Sequence, residues 1–378
     1  MRFLERERST MDKLLPGLDE RLAGRTLAEM ERPGSPAIAD FREFMGPGLL
    51  VPTEHSGLGA SALEAVRVQR ALASRSPSLA VATTMHHFSV ASLVVLSETS
   101  AGFEWMLLEA VATGRKLLAS GWAEGRPDRS ILQPTMTAVA ADGGGVLVSG
   151  VKRPCSLSRS MDLLTGSAVV PRLDGSGEQL AVLLVPADVP GITVSPFWGT
   201  FALAGAESDQ VTLTDVAVPE ELLIRTEVPP GRSLDDLTVA GFLWFELLMT
   251  ACYLGAASAL VERVLQDERV TPADRLALVV ELESAMAGVE ALAHLVPAEQ
   301  RDEGLLVRSL LARYAAQDAI ARAVPKAVEL LGGMQFIRAD DVGYLSAAVN
   351  GLGFHPPARS KMAGPLAGFL LGEPLTIA

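Results

Sequence analysis

Apolar residues recur every three to four positions through FLERERSTMDKLLPGLDERL, through SALEAVRVQRALASRS and through the stretch from Ser89 to Ala112. That is the spacing of helices that bury one face. Between the early helices lies GLLVPTEHSGLGAS, residues 48–61, where Pro52 and three glycines punctuate an ordered loop. From residue 119 the period shortens to two. TMTAVAA and VLVSGVK alternate on either side of the turn ADGGG at 141–145, and LLTGSAVV, QLAVLLVP and QVTLTDVAV also read as strands. Short strands at this spacing predict a small sandwich or barrel.

From residue 226 the helical period returns. Phe242 to about Leu265 forms one long apolar helix. Thr271-Pro272-Ala273-Asp274 supplies a cap, a first-turn proline and an acid, opening a helix that runs to about Leu295. Another helix extends from about Glu303 to Leu331, with a kink expected at Pro325 and a stop at Gly332-Gly333. Asp340-Asp341 opens a last one. The order predicts three parts: 1–118 helical, 119–225 β, and 226–378 helical.

At 49% hydrophobic and 20% charged residues, the composition is that of an ordinary globular protein. A net charge of −13 argues against nucleic acid as a main partner, because no basic surplus exists to neutralise phosphates. It leaves room for a local basic pocket. Cys155 and Cys252 are the only cysteines, too few for a disulfide framework or a cysteine-rich metal centre. No metal-ligand spacing is found. No apolar run reaches the ~18 residues of a membrane span, and MRFLERERSTMDKLL lacks the apolar core of a signal peptide. The expectation is a cytoplasmic protein away from membranes.

Five histidines offer candidate chemistry. His355 stands in NGLGFHPPARS, where two prolines forbid a regular helix. At such a break a side chain can point into a cavity, and an unperturbed pKa of about 6.5 suits a proton donor or acceptor. The plainer alternative is a histidine packed against the turn. His86 and His87 are adjacent on a helix, about 100° apart, and are poorly placed to share one metal. His55 and His294 have no supporting context.

Four motifs in order resemble the acyl-CoA dehydrogenase superfamily. LLVPTEHSGLGAS is similar to the family's VPEEYGGLG loop, and VLVSGVK to its Y-x-I-N-G-x-K strand and turn. VPGITVSPFWGTFALAGAESDQVTLTDVAVPEELLI, residues 189–224, is similar to its PGV…G…S-x-T…F-x-x-V-x-VP stretch, and AVELLGG to its A-V-Q-x-x-GG. The resemblance implies a mainly α protein with a central β-domain: an N-terminal helical domain, a β-sandwich or barrel, and a C-terminal four-helix bundle. It also implies FAD bound between the β-domain and the bundle, and assembly as a homodimer or homotetramer.

The same resemblance implies site residues. A dehydrogenase of this family removes a proton α to a thioester carbonyl with a glutamate. Its usual position falls on His355-Pro356-Pro357-Ala358, with proline where the acid would be, and the alternative position on the first bundle helix falls one residue from Glu246. Flavin monooxygenases on this fold carry a histidine in the C-terminal segment before a helix ending in LLG, as FHPPARSKMAGPLAGFLLG does. That makes His355 the competing catalytic candidate. Ser156 matches a flavin-bonding hydroxyl, with Pro154 in place of the family's tryptophan. Trp122 and Glu124 fall in the loop that matches TEPGAGSD, with Arg126 and Asp128 close by. Arg269 matches the arginine that holds adenine, and Gly332 and Gly333 match a glycine pair beside the pyrophosphate, although Glu329 replaces the neighbouring glutamine.

Three readings result, in this order. The first is FAD-dependent α,β-dehydrogenation of an acyl thioester, on CoA or a carrier protein, with an electron-transfer partner or oxygen as acceptor. The second is a flavin-dependent monooxygenase on the same fold. The third is a non-catalytic relative that binds an acyl carrier.

Overall fold

The computed structural model describes residues 2–99, 104–126, 131–142, 144–226, 234, 236–296 and 302–377. Seven helices come first: Glu5–Leu14 (α1), Leu18–Ala23 (α2), Leu27–Met30 (α3), Pro36–Glu43 (α4), Ala62–Arg75 (α5), Pro77–Thr99 (α6) and Glu104–Thr113 (α7). Their starts are written locally. Ser61 and Glu64 close a reciprocal capping box on α5, and Thr26 and Glu29 another on α3. The stretch from Ser89 to Ala112, expected to be helical, is shared by two helices, α6 and α7, and α6 begins as early as Pro77.

Eight strands follow: Leu118–Gly121 (β1), Thr137–Ala140 (β2), Val146–Cys155 (β3), Leu163–Pro171 (β4), Glu178–Pro186 (β5), Ile192–Ser195 (β6), Asp209–Val218 (β7) and Leu223–Arg225 (β8). They join in one hydrogen-bonded path, β6-β7-β3-β2-β4-β5-β8, with β1 attached to β4. β4 and β5 are buried over most of their length, which explains their almost continuous apolar runs. β3 and β7 run antiparallel, and their register slips between Lys152 and Cys155. A bulge of this kind re-aims the residues beside it.

The chain then returns to helix: Asp236–Gln266 (α8), Pro272–Ala293 (α9), Glu303–Leu331 (α10), Gly333–Arg338 (α11), Asp340–Ala348 (α12) and Arg359–Leu370 (α13). Thr271 caps α9 as expected, its hydroxyl accepting from the Asp274 amide. Gly332 ends α10 at φ +82, a conformation that favours glycine, but Gly333 already opens α11. α8 is the axis of the molecule and packs against α5, α6, α9 and α10. Its all-round apolar surface is thereby covered within the chain, so it does not by itself call for a second copy.

By length and composition α6 and α8 contain stretches apolar enough to cross a membrane, Pro77–Glu98 and Leu237–Gln266, although no such run was expected. In each, 72% of the most apolar window is buried inside the fold. Both therefore read as core helices.

Candidate active site

A cavity of about 150 Å³ lies where the sheet meets α6 and α8. At about 10–15 Å³ per water centre it has room for on the order of ten waters. Val81, Met85 and Phe88 from α6, Leu180 and Val182 from β5, and Phe242 and Phe245 from α8 make its apolar walls. Hydroxyls of Ser89, Ser120, Ser156, Thr165 and Ser208 interrupt them, and His355 stands at one side. Among the described residues that line it none is charged.

The β wall is set by strand register. Cys155 of β3 pairs with Asp209 of β7, so Ser156 and Ser208 fall at the next position along the ladder. Their hydroxyls are 2.9 Å apart, and either can donate to the other. Whichever donates, the second hydroxyl keeps its proton for a ligand, since neither has another partner among the described residues. Trp122 and Trp198 complete this side.

A second, shallower cavity of about 360 Å³ opens beside the first and shares Trp122, Ala123, Ile131, Pro154 and Pro356 with it. Glu124, Arg126, Gln133 and Lys361 give it a polar rim. Glu124 is committed to structure. Its carboxylate accepts from the amide and hydroxyl of Thr135 and from Lys152 Nζ at 2.8 Å. Burial works to raise its pKa, but the ammonium of Lys152 and the hydrogen bonds from Thr135 together outweigh that and hold it below the ordinary carboxylate value. Lys152 is fully buried and also donates to the Ser167 carbonyl.

The bundle wall is held by side chains from distant positions. A short 3-10 turn, Val349–Gly353, precedes His355, and α13 follows the two prolines. The Arg313 guanidinium, on α10, donates to the carbonyls of Leu352 and His355 and pairs with Glu246 at 3.0 Å. Both charged side chains are wholly buried. Gln317 donates to the Leu352 carbonyl and Tyr314 to that of Pro357. The turn carrying His355 is therefore bound along its backbone by one face of α10. The ring lies edge-on to Phe245, and its Nε2 is 2.8 Å from the hydroxyl of Tyr253.

Burial, helped by the positive charge of Arg313, pushes the His355 pKa down to about 3. The expectation of a group titrating near neutral pH therefore gives way: at pH 7 the ring is neutral. Glu246, the rival base, faces Arg313 and lies outside the cavity lining. Burial raises its pKa while the guanidinium pulls it back.

Of the residues singled out from sequence, His355, Ser156 and Trp122 meet in the inner cavity, and Trp122 and Glu124 in the outer one. Arg269 is 73% exposed, bound to Asp267, and lines neither cavity. Gly332 and Gly333 line neither as well. Asp128 falls outside the described residues. His86 and His87 are core residues. The Leu118 amide donates to His86 Nδ1, and Nε2–H of the same ring reaches the Pro47 carbonyl at 2.9 Å. The sequence reading missed Ser208, Tyr253 and Arg313. The only signal for Arg313 is a charge within an apolar stripe that has a counterpart, Glu246, on another apolar helix.

The lining suits a flavin. Apolar walls with tryptophans fit a ring system, a spare serine proton fits a ring heteroatom, and Arg126 at the outer rim fits a phosphate.

No family model matches the chain. Over 382 residues it is 48% identical to isobutylamine N-hydroxylase of Streptomyces viridifaciens, covering all of both proteins. It is 26% identical to dibenzothiophene monooxygenase of Rhodococcus qingshengii over 204 residues, 52% of this chain and 48% of that protein. Among solved structures, the nitrososynthase of Micromonospora carbonacea var. africana superposes with a TM-score of 0.83 at 21% identity, covering 98% of each chain. FMN-bound TdsC of Paenibacillus sp. A11-2 gives 0.82 at 19% identity, covering 100% of this chain and 99% of that one. The chain belongs to the acyl-CoA dehydrogenase superfamily, with isobutylamine N-hydroxylase as a full-length relative, and it is a flavin-dependent oxidoreductase.

Proposed function

We propose that the protein is a flavin monooxygenase that hydroxylates the nitrogen of a small, apolar primary amine. The observation that carries this is that the described residues lining the inner cavity are all uncharged. Thioester dehydrogenation needs a positioned base for the α-proton. Here no carboxylate lines the cavity among the described residues, and His355 has a depressed pKa. The monooxygenase reading therefore replaces dehydrogenation as the leading one, and likeness to an amine N-hydroxylase over the whole chain supports the same order.

The overall change is RNH₂ + O₂ + reduced flavin → RNHOH + H₂O + oxidised flavin. Bound reduced flavin supplies the two electrons. The chain supplies the surroundings. An apolar, uncharged cavity disfavours an ammonium ion, so the amine enters as the free base with its lone pair available. Ser156 and Ser208 would offer a proton to a bound flavin ring from the β wall, and His355 lines the cavity from the bundle wall. Exclusion of water limits loss of reactive oxygen species.

We infer FMN rather than FAD, because Arg269, the expected adenine partner, is bound to Asp267 and lines neither cavity, whereas Arg126 and Lys361 stand at the outer rim where one phosphate would lie. Assembly as a homodimer or homotetramer remains part of the reading. It is supported by the exposed Met334, Phe336 and Ile337 of α11 and tested by the mass in solution.

The functional test supplies purified protein with FMN, a flavin reductase, NADH and a panel of short primary amines under heavy-isotope dioxygen. Labelled hydroxylamine is the expected product. Absence of labelled product from every amine, with flavin bound, would remove the amine reading.

A further inference from the structure

Tyr253 lies on α8 behind His355 and is 1% exposed. Burial raises its phenol pKa, so it carries its proton at all ordinary pH. Among the described residues its hydroxyl has one hydrogen-bond partner, His355 Nε2, at 2.8 Å. Two arrangements satisfy that distance. If Nε2–H donated to the phenol oxygen, the phenol O–H would be left buried without an acceptor, which costs about 1–3 kcal/mol. If the phenol donates, the Nε2 lone pair accepts and no donor is stranded. The second arrangement is the satisfied one.

A neutral imidazole carries a single N–H. The ring is neutral because it is walled by Phe245 and Tyr253 and sits beside the Arg313 guanidinium, which already binds the His355 carbonyl. With Nε2 occupied as an acceptor, the proton resides on Nδ1. That nitrogen has no partner among the described residues, and His355 lines the cavity. Gly351 bears on the same contact: a Cβ there would lie 2.3 Å from the Tyr253 hydroxyl. Any larger residue would displace the phenol from the ring.

We propose that Tyr253 is a positioning residue that fixes His355 as its Nδ1–H tautomer, so that the histidine serves the cavity as a hydrogen-bond donor and not as a base. A donor suits an atom of the bound ligands that bears a lone pair or gains negative charge, and it is mismatched to an ammonium. This role rests on the proposed monooxygenase reading; the tautomer itself does not.

The test is nitrogen NMR of the full-length protein labelled at histidine, near neutral pH, with the His355 signals assigned by their loss in His355→Gln. In the parent, Nε2 should show the shift of an unprotonated ring nitrogen and Nδ1 that of an N–H. Tyr253→Phe should move the signals toward the Nε2–H form, and Gly351→Ala, which keeps the hydroxyl but forces it away, should do the same. Turnover in Tyr253→Phe should fall about two- to tenfold, the equivalent of one ordinary hydrogen bond, with flavin affinity unchanged. A protonated Nε2 in the parent, or the parental tautomer in both variants, overturns the proposal. Failure of the amine reading would appear instead as missing hydroxylamine with the tautomer result intact.

Discussion

The two walls of the cavity are built on opposite plans. On the β wall, backbone ladder bonds place Ser156 and Ser208, and the side chains are free to act. On the bundle wall, side chains place the backbone: Arg313, Glu246, Gln317 and Tyr314 hold the turn on which His355 rides. A functional side chain on the first wall can be removed without touching what supports it. On the second, support and function share residues, and a buried charge removed on one side leaves another unpaired.

The largest expected effect separates function from support at His355. His355→Ala should lower turnover by about 10²–10³-fold, the cost of losing one preorganised donor at a reacting centre, while stability falls by no more than about 1–3 kcal/mol, the cost of the Tyr253 hydroxyl left without its acceptor. Steady-state kinetics beside urea denaturation read both quantities. A variant with parental turnover would reduce His355 to a packing residue.

Arg313→Met should do the reverse in its first effect. It leaves Glu246 buried without its counter-charge, a loss of about 3–5 kcal/mol. Pairing it with Glu246→Leu should recover much of that stability, because an apolar pair replaces the ion pair. Activity should stay low, since the carbonyls of Leu352 and His355 have still lost their donor. Recovery of activity together with stability would break the distinction between the two walls.

Acid should expose the cost of the buried histidines. His86 is pushed down to about 4, and His87 well below its ordinary value, both by burial. Unfolding raises each to about 6.5, so the unfolded chain binds more protons below that pH. Stability from these groups is therefore complete above about pH 6.5. It is lost as pH falls toward 4, at up to about 1.4 kcal/mol per pH unit for each ring. Denaturation midpoints of the parent and His87→Phe between these pH values measure the slope, which should be shallower in the variant.

The smallest effect belongs to the β wall. Ser156→Ala removes one hydrogen bond worth about 0.5–1.5 kcal/mol. It should shift the bound-flavin spectrum and turnover modestly with no change in fold. Ser208→Ala should behave alike, because either hydroxyl can hand its proton to the ring. Equal insensitivity in both variants would assign the pair to the strand end alone.

The contrast also sorts what the sequence disclosed. Strand alternation and helix caps are local, so β3, β7, α5 and α9 were legible, whereas Ser156, just after VLVSGVKRPC, was singled out through the family resemblance. His355 was legible because two prolines mark a break. Tyr253 was not, since its contact with His355 spans 102 positions. Nor was the Glu246–Arg313 pair, which spans 67. Glu246 was therefore read as a candidate base, when its partner lies on another helix. The depressed pKa of His355 was hidden for the same reason: burial and a neighbouring guanidinium are tertiary facts.

The central claim is that this cavity activates oxygen and does not take hydride from a substrate. The direct measurement is anaerobic stopped-flow absorbance of the oxidised, flavin-loaded protein mixed with short-chain acyl-CoA thioesters and with isobutylamine, with no reductant present. The account predicts that the flavin band stays unbleached with every one of them. Rapid bleaching by a thioester would contradict it and restore dehydrogenation.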